Sequence, residues 1–410
     1  MNNKTVTVET ALDCILKSVI PIGYDKVSLL DAAGRVLFDD LTSDADIPPF
    51  NNSAMDGYAV LYKDTNGASK DNPVKLKITG EIKAGDDYKN QCVANNTAIR
   101  IMTGALIPPG ADAVIQVEDT DEKNDIVHVF REVKNYENIR LSGEDIKKSS
   151  TVFTKGHKLK SPDIGLLASM NRSVVRVFKQ PDVAIIATGD ELAELGEELK
   201  TGQIRNSNSY AIYSEVKKYN ALPRYLGIAG DTVDETISKL KQGLNADIVI
   251  TTGGVSMGKY DFVTEVLAKL GIDIIFEWIK MKPGKPCVFG KKDNTLFFGL
   301  PGNPVSAMIS FIQFVRPAIL KMMGANNTEK PFVNAIIKED IKKKTGRTNF
   351  IRGHFTIVNG DFHVSTTGPQ GSGILRSMSE ANCLIVLPMD IEQVKSGDKI
   401  LIQLIHHEEI

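Results

Sequence analysis

Three short stretches share one arrangement of chemistry-bearing residues: glycines and polar side chains directly after an apolar run and directly before a helical or turn-rich segment. They are ATGDEL (187–192), TTGGVSMGKYD (251–261) and GLPGNPVSA (299–307). Gly189, Gly253 and Gly254 let the backbone turn sharply and approach a ligand with no Cβ in the way, and a helix N-terminus adds unpaired N–H groups and a partial positive charge. Thr188, Ser256, Gly258, Pro301, Gly302, Asn303 and Pro304 complete the loops. Such loops suit phosphate or another oxyanion. Any one of them could be a tight turn and nothing more; three on one edge of a sheet argue for a binding site.

Asp190, Glu191, Asp231 and Asp261 fall at or just after strand ends of the same region. Bare carboxylates repel phosphate, and a hard divalent cation resolves the conflict by bridging one or two of them to phosphate oxygens, as Mg2+ does. The metal ligands are expected among these four acids. Helix capping alone would explain Asp231 equally well. Lys282 and Lys285, in MKPGKP, bring positive charge near another strand end, with Pro283 and Gly284 restricting the loop. The chain has no Walker G-x-x-x-x-G-K-[ST], no G-x-G-x-x-G after a strand, no G-x-S-x-G and no H-E-x-x-H, which removes the main support for kinase, dinucleotide oxidoreductase, serine hydrolase and zinc protease readings.

The elements that must position these loops are legible from residue 183 onward. VAIIAT, PRYLGIA, ADIVITT and IDIIFEW read as strands alternating with helices SYAIYSEVKKYN, VDETISKLKQGL and FVTEVLAKLG, so a doubly wound, mainly parallel α/β sheet is expected. Thr232 and Glu235 have capping-box spacing, and Asn303-Pro304 reads as the N-cap and first residue of the helix PVSAMISFIQFVRPAIL. An amphipathic helix opens the chain, on Val8, Ala11, Leu12, Ile15, Leu16 and Val19. VKLKI, TAIRIM, AVIQV and IVHVF form a β-rich stretch, SPDIGLLASMN is a short helix, and β-like segments return after about residue 329 with an Asn359-Gly360 hairpin turn. The expected fold is multidomain α/β plus β, with a β-rich unit over 46–145, an α/β domain over 179–328 and a separate β domain over 329–410.

Bulk properties agree with several cores in 410 residues. Forty-nine basic against 51 acidic residues, net charge -2, give no global pull toward nucleic acid or an anionic membrane. Cys14, Cys92, Cys287 and Cys383 lie far apart with no metal spacing, and MNNKTVTVET is unlike a signal peptide. The expectation is a cytoplasmic protein that binds neither nucleic acid nor membrane.

Together with IPPFNNSAMDGYAV (47–60), GEIKAGD (80–86), AIRIMTGALIPPGADAVI (98–115) and IRLSGEDI (139–146), these motifs resemble the molybdopterin molybdenumtransferase family, which is related to the C-terminal part of gephyrin. The resemblance runs through nearly the whole chain. It implies a homodimer with a segmented linker domain made of residues 1–45 and 146–178, an inserted β domain over 46–145, a molybdopterin-binding α/β domain over 179–328 and a C-terminal β-barrel over 329–410, the active site being shared between subunits. It also implies that molybdenum from molybdate enters adenylylated molybdopterin with release of AMP and Mg2+ present, and it brings in the molybdopterin adenylyltransferase as a partner. By the same resemblance Asp56, Thr103 and Asp145 are active-site residues of the β domain and its exit. Glu191, Asp231, Asp261, Lys282 and Lys285 are those of the α/β domain, the three acids being the expected metal ligands, and Arg352 and Ser372 contribute from the last domain. Asp56 and Asp261 would meet across the dimer. Trp278 stands where many relatives carry a basic residue, and reads as a packing residue at the end of an apolar strand. Two alternatives are adenylylation of molybdopterin and a non-catalytic scaffold like gephyrin. The continuation V-S-M-G-K-Y-D and the SAMDGYA region disfavour the first; the retained acids and lysines disfavour the second.

Overall fold

The computed structural model describes residues 5–88, 90–254 and 263–405. Ser256, Gly258 and Asp261 therefore lie outside the described residues. At the centre is a seven-stranded sheet in the order Thr5–Val6, Asp273–Ile279, Pro286–Lys292, Thr295–Leu300, Ile248–Thr252, Asp182–Thr188, Leu222–Ala229. Only Pro286–Lys292 runs against the rest, paired antiparallel to both neighbours. Side chains alternate cleanly between two cores: Ile185, Ile250 and Phe298 point into one with Ile212 and Val216 of helix Asn208–Lys218. Ala184, Ile186 and Val249 point into the other, with Leu240 of helix Val233–Gly243 and Val266 of helix Val263–Lys269. Cover on both faces explains why these strands read as continuous apolar runs.

After Asp182–Thr188 the chain crosses to one side, to Leu222–Ala229, and then to the other, to Ile248–Thr252. A crevice opens where the winding reverses, outside the carboxyl ends of those strands. Gly189 and Gly253 stand at its two sides.

The opening helix, Val8–Ser18, does not sit with the segmented domain as grouped by sequence. Thr5–Val6 adds to the sheet edge beside Trp278 and Ile279, and Ala11 and Ile15 are fully buried in the same core as Phe276. Helical periodicity identifies an apolar face but not the surface that will cover it. The segmented domain is built instead on the antiparallel pair Tyr24–Ser28 and Val174–Phe178 with helix Ser161–Ser169.

Two helix starts differ in detail from expectation. Thr232 accepts the N–H of Glu235 at 3.3 Å, but the Glu235 carboxylate turns to the Gly230 N–H, at 2.9 Å, so half of the capping box closes the preceding loop. Asn303 precedes helix Pro304–Ser310 without a side-chain cap bond. That helix is not uniform: Phe311–Val315 takes π geometry before Arg316–Met322 resumes the α form. Pro317 has no N–H to give to Gln313, and the wider turn accommodates its ring. The run Pro304–Met322 is apolar and long enough to cross a membrane by length and composition, yet 78% of it is buried within the protein, as core.

The inserted domain is a six-stranded sheet, Ala113–Gln116, Gly57–Val60, Thr97–Ile101, Val74–Ile82, Ile126–Val129, Thr120–Lys123 in order. In the C-terminal domain Thr348–Val358, Asp361–Thr366, Phe332–Ile337, Lys399–Leu404 and Cys383–Leu387 close into a five-stranded barrel, since the last pairs back with the first. Asn359 and Gly360, at φ 53° and 88°, make the two-residue turn between Val358 and Asp361.

Candidate functional site

The strand-end loops are tied to one another through backbone. Gly189 N–H donates to Ala229 O at 3.2 Å and Gly253 N–H to Leu300 O at 3.0 Å. Gly253 has φ 101°, and a Cβ there would lie 2.6 Å from Thr188 O; a Cβ on Gly302 would lie 3.7 Å from the Gly253 Cα. Thr188, Gly253 and Gly302 therefore converge, and the close approach requires glycine at 253. Three hydroxyls at these strand ends, Thr188, Thr251 and Thr252 Oγ1, are buried with no hydrogen-bond partner among the described residues. Gly302 O accepts from Asn208 Nδ2 at 2.7 Å, which anchors the third loop to the first crossover helix. Pro301 is buried, Gly302 and Asn303 are exposed, and Gly254 turns left-handed at φ 68°.

The acids form a clamp rather than an open triad. Asp231 N–H donates to Asp190 Oδ1 at 3.0 Å, and Asp190 N–H to Asp231 Oδ2 at 3.4 Å. Each carboxylate spends one oxygen on the other's backbone and keeps one without a donor among the described residues. The Glu191 carboxylate folds back over Gly189. Among the described residues no group of three or more His, Cys, Asp or Glu side chains could hold a metal ion. The expected set of Glu191, Asp231 and Asp261 is therefore not assembled there, Asp261 lying outside those residues.

The lysine loop spans two domains. Met281–Lys282 pairs with Thr348 and Asn349 of the barrel, while Ile279 N–H donates to Lys285 O at 2.8 Å, returning the loop to the α/β sheet. Gly284, φ 95°, packs so tightly that a Cβ would fall 2.8 Å from Ser310 Oγ. A cavity of about 530 Å3 lies between this loop and the barrel, lined by Lys282, Lys285, Asn303, Ser306, Arg352 and Ser372 among others. Ser372 O accepts Val305 N–H at 3.1 Å, joining the barrel loop to the start of the helix after LPGNP. Arg352 is 1% exposed; its Nε donates to Ser377 Oγ and its Nη2 to Gly371 O, both at 3.0 Å, and Nη1 makes no hydrogen bond among the described residues. Burial lowers the Arg352 pKa from its ordinary value, and a guanidinium remains charged at neutral pH even so. The structure thus brings Lys282, Lys285, Asn303, Arg352 and Ser372 together.

Sequence reasoning missed Lys342, Lys343 and Arg347, which line the same cavity and an adjoining one of about 640 Å3 that also takes in Lys344. The run IKKKTGR carried the signal, but a charge run usually marks a solvated face. Among the described residues none of these four cations, nor Lys282 or Lys285, makes an ion pair.

Asp56 and Thr103 meet elsewhere, in the inserted domain. Thr103 N–H and its hydroxyl donate to Asp56 Oδ1 at 2.7 and 2.8 Å, and these bonds, the backbone one first, hold the carboxyl below the usual carboxylate range. A depressed folded-state pKa contributes stability above the unfolded carboxylate pKa, lost as pH falls through the folded value. Thr103→Val removes one donor and keeps the N–H, so the Asp56 titration midpoint, followed by carboxyl-carbon NMR, should move up toward the ordinary range; an unmoved midpoint would contradict the contact. Asp145 is exposed, with its N–H on Ile47 O at 3.1 Å. Among the described residues no hydrogen bond or ion pair links Asp56, Thr103 or Asp145 to the strand-end loops within the chain.

Comparison with known proteins matches residues 6–171 to the MoeA N-terminal region (domain I and II), 184–321 to a probable molybdopterin binding domain and 334–405 to the MoeA C-terminal region (domain IV). The molybdopterin molybdenumtransferase of Haemophilus influenzae is 37% identical over 407 residues, covering 98% of this chain and 99% of its own. That of Bacillus subtilis is 35% identical over 387 residues, 93% of this chain and 90% of its own. The crystal structure of the molybdopterin biosynthesis moeA protein from Pyrococcus horikoshii OT3 superposes with a TM-score of 0.85 at 34% identity, covering 98% of this chain and all of that one, 100%. The four-part fold, the three convergent loops and full-length relatives at this identity agree, and the chain belongs to the MoeA family of molybdopterin molybdenumtransferases, enzymes of molybdenum cofactor biosynthesis.

Proposed function

We propose that the chain inserts molybdenum from molybdate into adenylylated molybdopterin and releases AMP, with Mg2+ present and with two copies of the chain completing each site. The observation that carries this reading is the cavity of about 530 Å3 where Lys282, Lys285 and Arg352 face Asn303 and Ser306, at the end of the LPGNP loop and the start of its helix. A tetrahedral dianion suits such a place: the cations attract it, and Ser372, Asn303 and the Arg352 Nη1 supply directed donors. The neighbouring crevice at Gly189, Gly253 and Gly302 suits the phosphate of the pterin, which needs close backbone approach and no Cβ. Gly302 of the crevice and Asn303 of the cavity are consecutive residues, so oxyanion and pterin would lie side by side.

The clamp of Asp190 and Asp231 fits Mg2+, since each acid retains a carboxylate oxygen without a donor among the described residues and Mg2+ takes one or two carboxylates, phosphate oxygens and waters. Glu191 adjoins them. When bound, the ion would offset the charge of the phosphoanhydride. Asp56, Thr103 and Asp145 complete the site in this reading only from the partner subunit, since among the described residues no hydrogen bond or ion pair within one chain connects them to the loops. The four free cysteines suit a reducing, cytoplasmic setting.

The test is AMP release from adenylylated molybdopterin, followed by chromatography. Release should require molybdate and fall to background in EDTA. Incubation with molybdopterin and Mg-ATP alone should give no adenylylated product. AMP release indifferent to molybdate, or adenylylation from ATP, would overturn the reading.

A further inference from the structure

Lys285, like Lys282 in the same loop, is exposed, and among the described residues its ammonium has no acidic neighbour within ion-pair distance and no side-chain hydrogen bond. Its close partner is an aromatic face: the Nζ lies 5.4 Å from the centroid of the Trp278 ring. Backbone fixes both ends of this pair. Trp278 is held in the strand between Thr5 on one side and Pro286 on the other, and the Lys285 carbonyl accepts the N–H of Ile279, the residue after Trp278, at 2.8 Å. Gly284 leaves the loop no room to shift toward Ser310. The Lys285 side chain is then the one part free to move, and a four-carbon stem with rotatable donors has many orientations to choose from.

We propose that Trp278 is a positioning residue for the oxyanion substrate: its indole face holds the Lys285 ammonium at the edge of the basic cavity, where it meets the incoming dianion without leaving the ring. The inference rests on the reading of that cavity as the oxyanion site. Lys285 lines the cavity with Lys282 and Arg352, whereas Trp278 does not line it. With no anion present, those two like charges disfavour an inward-pointing ammonium, and the ring quadrupole offers it a place outside. A dianion at that edge adds a charge-assisted contact to an ammonium that the ring already holds in place. The ring restricts the wandering of the lysine, so less freedom is lost on capture.

The chain has a single tryptophan, which makes the contact directly observable. Fluorescence excited at the indole should differ between the wild-type protein and Lys285→Met without ligand. Addition of molybdate should change the wild-type emission saturably and leave that of Lys285→Met unchanged. In steady-state assays Trp278→Leu should raise the KM for molybdate about fivefold, the order of an exposed cation–π contact, with kcat nearly unchanged. Trp278→Phe, which keeps an aromatic face, should recover most of that loss; a merely structural role would treat the two variants by their packing and leave the wild-type emission blind to Lys285. Emission insensitive to Lys285→Met, or equal KM for wild type and Trp278→Leu, would overturn the proposal. The two readings fail differently. If Lys285→Met leaves the KM for molybdate unchanged, the cavity is not the oxyanion site; if Lys285→Met raises it and the emission ignores the lysine, only the role of Trp278 falls.

Discussion

Arg352→Met should cost the protein both its oxyanion site and part of its stability. The guanidinium is buried at 1% exposure, with two nitrogens spent on Ser377 Oγ and Gly371 O. Methionine fills a similar volume but leaves those acceptors without their donors, which costs on the order of 2–3 kcal/mol. The melting transition should move down accordingly. Loss of the remaining nitrogen should lower molybdate-dependent turnover about 100-fold, the usual effect of removing a preorganised donor to an anion. Arg352→Lys restores charge but not the fork, so it should recover molybdate affinity in part and stability hardly at all. Wild-type saturation by molybdate in Arg352→Met would remove the residue from the site.

The second large effect is expected at Gly253. Its φ of 101° is strained for any side chain, and a Cβ would sit 2.6 Å from the Thr188 carbonyl oxygen, a backbone atom held in the central strand. Relief requires the two strand ends to part. Gly202, at φ 87°, has open space where a methyl would stand, with nothing within 4 Å. Gly253→Ala and Gly202→Ala therefore share the conformational strain, of order 1–3 kcal/mol, and differ in the clash. Gly253→Ala should melt at a lower temperature than Gly202→Ala and lose molybdopterin binding by more than tenfold, while Gly202→Ala keeps it. Equal behaviour of the two would mean that the convergence of the loops is not what binds the pterin.

Much of the scaffold was legible because the α/β domain obeys local rules. Its strands are buried on both faces and so appear as apolar runs of the right length, and Thr232 and the Asn359-Gly360 turn mark boundaries through their own chemistry. What was not legible depends on long-range partners. The apolar stripe of Val8–Ser18 is plain, but only the tertiary fold shows that it covers Phe276. The π turn before Pro317 follows from a proline whose helix continues on both sides because its surroundings are packed. The three strand-end glycine loops announced the crevice, whereas Lys342, Lys343 and Arg347 joined the cavity by way of a barrel strand pairing with Met281–Lys282, a contact no local pattern encodes. The clamp between Asp190 and Asp231 is equally non-local: spacing showed acids near strand ends, and the fold set each one on the other's N–H.

The central claim is that the oxyanion is received between the lysine loop and the barrel, next to the strand-end crevice. The most direct measurement is an anomalous difference map, collected at the molybdenum absorption edge, from crystals soaked in molybdate. The account predicts a peak inside the cavity, within hydrogen-bonding reach of Lys285, Arg352 and Ser372. A peak confined to other parts of the molecule, with that cavity empty of molybdenum at saturating molybdate, would contradict it.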